Sequence, residues 1–134
     1  MNETKFKHLV RKEWLGDYWS ECLELKSDVG FPDVHFLGPK QTVTLVEFKV
    51  VRQRDFNSKG EFRIPWRTHQ PIFAAEYAKR GGSVGAAILI GSEPYWLAVE
   101  PSRHWVLAVQ RPLTLDFDYL FPVDKTTIRE FIPE

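Results

Sequence analysis

One cysteine, Cys22, stands among the 134 residues. It excludes an internal disulfide and fits a reducing compartment. No Cys/His spacing of the zinc-binding kind occurs. No apolar run approaches the ~18 residues that a membrane span needs. The opening MNETKFKHLV has no apolar signal-peptide core, so the expected location is the cytoplasm. Internal repeats, linkers and low-complexity stretches are also missing. Excess charge of either sign is absent: 18 basic residues balance 18 acidic ones. Taken alone, that balance argues against a nucleic-acid partner.

What is present changes that picture. Residues 49–82 carry eight basic and three acidic side chains, against six and eight before them and four and seven after. The positive excess is therefore local, where a phosphate backbone could pass. A hydrophobic content of 43% is enough for a core, and the chain reads as a single domain, 1–134.

Within this frame Thr42 to Val51 (TVTLVEFKVV) is almost entirely β-branched or apolar, as in a strand buried on both faces. It nevertheless carries Glu47 and Lys49, which share one side because side chains two apart in a strand do. Buried charges need partners. Pro32 to Leu37 reads as the preceding strand, with Gly38-Pro39 as its turn. A hairpin centred on Lys40 sets Asp33 opposite Glu47 on the same face, and a slip of one residue would separate them. Adjacent carboxylates repel. A cation with a taste for oxygen ligands, such as Mg²⁺, with Mn²⁺ as a substitute, removes that repulsion. The pattern thus predicts a carboxylate metal site with an ammonium group two residues along.

The remaining chain reads as follows. Thr4–Trp14 is a helix capped by Asn2 or Thr4, and Glu21–Lys26 is a short strand. Arg52–Pro65 is a polar loop of about fourteen residues, longer than an ordinary connection and so functional or mobile. A helix runs to about Arg80. It opens at Pro65-Trp66 or, because Pro71 is tolerated only in a first turn, near Thr68 or Gln70. Trp66, Ile72, Phe73, Ala75, Tyr77 and Ala78 supply its packing. Val84–Gly91 and Tyr95–Glu100 are strands. Pro101–Gln110 is a candidate helix, Leu113–Phe121 is ambiguous, and Asp124 caps a last helix over Lys125–Phe131.

Pro32-Asp33 followed by Glu47-Phe48-Lys49 resembles the PD-(D/E)XK nuclease superfamily. Gly30-Phe31-Pro32-Asp33 and the helix with Arg67 and Gln70 look most like its small VRR-NUC and phage-type members, related to archaeal Holliday junction resolvases. The resemblance covers roughly residues 1–97. It implies an α/β, restriction-endonuclease-like fold, a central mixed β-sheet flanked by helices. It implies Mg²⁺-dependent hydrolysis of phosphodiester bonds in DNA, branched or junction DNA above all. The location would then be a host's cytoplasm if the chain is of phage origin. It makes the Phe48 carbonyl a further metal ligand beside Asp33 and Glu47. It gives Gln70 the support of the lysine or of a phosphate-side water. Glu24 stands at the interval from the Gly-x-Pro-Asp run seen in phage-type relatives and could complete the acidic cluster; Glu3 competes for that place.

Lys49 is expected beside the scissile phosphate, stabilising developing negative charge, since nearby carboxylates oppose the lowered pKa a base would need. Ser27, and with it Asp28, lies in the loop entering the site. Arg52, Arg54, Lys59, Arg63 and Arg67 are candidate phosphate contacts. His35 shares the face of Asp33 and His69 adjoins Gln70, but for both a packing role weighs more than a metal. A homodimer is expected, since paired cuts need two sites, with Trp96, Trp105, Tyr119, Phe121 and Phe131 as material for an interface or for covering the sheet. Two other functions stay open: a catalytically silent nucleic-acid-binding module on the same fold, and a restriction-type sequence-specific endonuclease.

Overall fold

The computed structural model describes residues 1–23, 30–99, 111–112 and 120–134. Its centre is β3 (Val43–Val51), in which every residue from Thr44 on is buried. On one side lies β2 (Val34–Leu37), antiparallel; on the other β5 (Val84–Ile90), parallel. β1 (Trp19–Cys22) extends the sheet beyond β2, and β6 (Glu93–Ala98) and β8 (Leu120–Pro122) extend it beyond β5. The result is a six-stranded mixed sheet in the order β1-β2-β3-β5-β6-β8. The expectation of an α/β fold around a central mixed sheet is met.

Even-numbered β3 residues face one layer and odd-numbered ones the other. Val46, Phe48 and Val50 pack with Phe6 and Val10 of the first helix and with Ile128 and Ile132 near the C-terminal end. That helix starts as α1 (Glu3–His8), with Asn2 Oδ1 accepting from the Lys5 N–H at 2.8 Å, and continues as a π-helix over Leu9–Trp14. Phe6 meets Phe48 edge-on at 5.7 Å. Tyr18 Oη donates to the Ile132 carbonyl, and Arg129 donates to both oxygens of Asp17 and to the Trp14 carbonyl. These bonds fasten the C-terminal segment across the helix side of the sheet.

The other layer is α2 (His69–Lys79), the crossover between the parallel strands β3 and β5. It begins after Thr68, so Pro71 falls in the first turn, where an N–H has no intrahelical partner to lose. Leu45 and Val51 pack on this face with Ile64, Ala74, Ala86 and Ile88.

Several expected boundaries move. The strand expected over residues 21–26 runs from Trp19 to Cys22. The last helix shortens to a 3-10 turn, Thr127–Glu130, with Asp124 Oδ1 accepting from the N–H groups of Thr126 and Thr127. The long polar loop after β3 is structured. A 3-10 turn, Gln53–Asp55, leads to a small hairpin in which Phe56 bridges to Phe62 of β4 (Glu61–Phe62), and β4 pairs with β7 (Arg111–Pro112). The expected helix over 101–110 lies outside the described residues. No described helix is long and apolar enough to cross a membrane.

Candidate metal and phosphodiester site

The β2–β3 register decides what this face can do. Val34 pairs with Val46, His35 with Leu45, Phe36 with Thr44 and Leu37 with Val43. The next step of that register sets Asp33 beside Glu47, as the hairpin centred on Lys40 requires. Asp33 is tied at both ends: its carbonyl accepts from the Leu23 N–H at 2.7 Å, and its Oδ2 accepts from the Phe48 N–H at 3.0 Å. One residue further along, Pro32 falls opposite Phe48. Proline has no N–H to offer the ladder, and the Phe48 N–H turns to the Asp33 side chain instead.

Glu47 is 2% exposed and Lys49 7%. They lie on the α2 side, between Leu45 and Val51, in otherwise apolar surroundings. Lys49 Nζ is 3.7 Å from Glu47 Oε1. The same oxygen accepts from Gln70 Nε2 at 2.9 Å, while Gln70 Oε1 accepts from the Arg67 N–H at 2.9 Å. Gln70 is itself buried, in the first turn of α2. The resemblance gives Gln70 the support of the lysine or of a phosphate-side water; the hydrogen bond present here is the one it donates to the Glu47 carboxylate. Among the described residues Glu47 Oε2 is buried and meets no hydrogen-bond donor. Burial above all, and then the charge of Asp33, push the Glu47 carboxyl up to about 9, with Lys49 pulling the other way.

Glu3, on the first turn of α1, also reaches this field. Burial and the charge of Asp33 raise its carboxyl, against the pull of Lys49, Lys7 and Arg52. It is thus coupled electrostatically to Asp33 and Lys49. Its competitor Glu24 lies outside the described residues, as do Ser27 and Asp28.

A hard divalent cation suits this donor set. Two carboxylates adjoin, and one buried oxygen, Glu47 Oε2, has no donor among the described residues. The cluster is not closed: among the described residues no group of three or more His, Cys, Asp or Glu side chains is gathered to hold an ion. Mg²⁺ characteristically keeps several waters and takes only one or two carboxylates.

The candidate phosphate contacts are all exposed. Arg52 follows β3 directly and its charge is felt at Glu3. Arg54 and Arg63 line an open cleft of about 330 Å³ over the small hairpin, and Lys59 sits at the hairpin's turn. Arg67 stands at the entrance to α2. Among the described residues none of the five enters an ion pair. His35 packs edge-on against Trp19 at 5.4 Å, and His69 is exposed.

Two features escaped the sequence reading. Gly30 has φ +78°, and a Cβ there would lie 2.0 Å from the His69 carbonyl oxygen, so its backbone abuts the start of α2. Trp66, read only as packing, lies over the ammonium of Lys49, 5.8 Å from ring centroid to Nζ. Nothing in the sequence separates Trp66 from the other four tryptophans.

No family model matches the chain. No curated protein matches it either. Among solved structures it is similar to Hjc, a Holliday junction resolvase from the archaeal hyperthermophile Archaeoglobus fulgidus. Identity is 15% and the TM-score 0.49, over 90% of this chain and 87% of that one.

Proposed function

We propose that the protein is a divalent-cation-dependent nuclease that hydrolyses phosphodiester bonds in DNA and prefers branched or junction substrates. The observation that carries this reading is the juxtaposition of half-buried Asp33 with buried Glu47, and with buried Lys49 two residues along. Burying charges is costly and adjoining carboxylates repel, and a bound cation offsets that repulsion. The resemblance of Pro32-Asp33 and Glu47-Phe48-Lys49 to PD-(D/E)XK nucleases agrees with it.

In this reading Asp33, Glu47 and the Phe48 carbonyl hold Mg²⁺, or Mn²⁺ in its place. A cation so held neutralises phosphate charge and lowers the pKa of a water. Gln70 fixes the Glu47 carboxylate by donating to Oε1. Lys49 directs its ammonium at the phosphate, where negative charge grows in the transition state. Glu3 adds to the negative field at the edge of the site. Arg52, Arg54, Lys59, Arg63 and Arg67 contact the DNA backbone, which positions the substrate without reading its sequence.

The test is cleavage of a four-way junction, a flap, a linear duplex and a single strand, each with Mg²⁺, Mn²⁺ or EDTA. Cation-dependent cleavage that Asp33→Asn and Glu47→Gln each reduce at least about a hundredfold is expected. Binding without cleavage under every condition would establish the silent DNA-binding module instead. Cleavage confined to one base sequence would establish the restriction-type enzyme.

A further inference from the structure

Lys49 is a flexible four-carbon stem ending in a compact charge, and something must hold it. Its side chain is 9% exposed. At 3.7 Å from Glu47 Oε1 it makes an ion pair but not a hydrogen bond, and that oxygen also accepts from Gln70 Nε2. The Trp66 ring, at 5.8 Å, is within the reach of a cation–π interaction. Trp66 and Gln70 stand four apart on the segment that leads into α2. Their targets, Lys49 and Glu47, stand two apart on β3. One short piece of chain therefore meets both buried charges of the strand.

We propose that Trp66 is a positioning residue for Lys49, holding the ammonium by its indole face so that the N–H donors stay free for a phosphate oxygen. The role rests on the nuclease reading, but the placement does not. A carboxylate in the same position would take up one or more of those donors. An aromatic face attracts the charge without offering a strong acceptor. Arg67 and His69, the other basic residues of the segment, are exposed.

Proton NMR of the free protein tests the placement. The ε-methylene signals of Lys49, assigned by their loss in Lys49→Met, should be shifted upfield by the indole ring current. Trp66→Leu should abolish the shift and Trp66→Phe should keep part of it. In cleavage assays with Mg²⁺, Trp66→Leu should lower kcat about tenfold with KM near wild type, and Trp66→Phe should recover most of it. An unshifted wild-type lysine overturns the proposal without need of any variant, should Trp66→Leu fail to fold. So does wild-type kcat in a folded Trp66→Leu protein. A wild type that cleaves nothing overturns the nuclease reading, and the lysine spectrum then still decides whether Trp66 holds Lys49.

Discussion

Glu47 carries the energetic tension of the site. Its carboxyl is raised from 4.5 to about 9, first by burial and then by Asp33. An acid raised in the fold binds its proton more tightly folded than unfolded. Between pH 4.5 and about 9 the folded chain therefore holds more protons, and stability falls as pH rises through that window. Removing the Asp33 charge should relieve this. In Asp33→Asn the amide oxygen can still accept from the Phe48 N–H, and the new NH₂ can serve the donorless Glu47 Oε2. In EDTA this variant should melt above wild type by an amount on the order of 1 kcal/mol. The gain should grow with pH and shrink when Mg²⁺ is added, since the cation stabilises the wild-type site. Thermal melts across that pH range check it, and a lower melting temperature for Asp33→Asn in EDTA would show that the carboxylates do not oppose each other. Lys49 is the complementary case. Lys49→Met keeps the length and burial of the side chain but not the charge. Calorimetric Mn²⁺ binding should survive, while kcat should fall roughly a hundredfold or more. Loss of both together would make Lys49 a structural partner of the carboxylates.

Among the elements, the β2–β3 hairpin was the most legible. Its register follows from a turn signal and from period-two alternation, both local, so Asp33 and Glu47 could be paired from sequence. The existence of α2 was legible too, and Pro71 marked its start. The partners of Lys49 and Glu47 were not, because they depend on how α2 lies over the sheet, and no local pattern encodes that. Gly30 shows why. Its need for φ +78° and for a bare Cα comes from the His69 carbonyl, thirty-nine positions on. Gly30→Ala should therefore strain both the backbone and this contact, costing roughly 2–4 kcal/mol. The displacement falls on the helix end that carries Gln70, so cleavage should drop beyond what the lost stability explains. Denaturant melts together with activity measured well below the melting point separate the two effects. An unchanged rate in a destabilised but folded Gly30→Ala protein would mean that Gln70 is held independently of this contact. The hairpin over residues 56–62 is the opposite lesson. Its polar composition reads as a loop, yet Asn57 Oδ1 accepts from the N–H groups of Lys59 and Glu61 and closes a turn. Short-range side-chain bonds of this kind compete well with disorder.

For the whole molecule, the question is how one site would cut a substrate with two strands. The aromatic residues offered as interface material divide. Trp96 is 3% exposed and belongs to the core. Phe131 stacks on it at 5.9 Å and on Phe121 at 5.2 Å, so this column covers the sheet. Trp105 and Tyr119 lie outside the described residues. Phe121 ends the column on β8, at the edge of the sheet order, and is 36% exposed. The opposite edge, β1, presents Trp19 at 52% exposure. A two-fold dimer would join like edges and set two copies of the site on one substrate, the commonest closed arrangement. We expect a dimer centred on Phe121, with preference for a four-way junction over a matched linear duplex. Phe121→Arg places a charge at the end of the column and against its own copy across the axis. It should shift light-scattering mass toward the monomer at micromolar concentration and turn paired cuts into single nicks, leaving metal binding unchanged. A wild type of monomeric mass that cuts both substrates at equal rates would exclude the dimer, and the protein would then act as a monomeric nicking or flap nuclease.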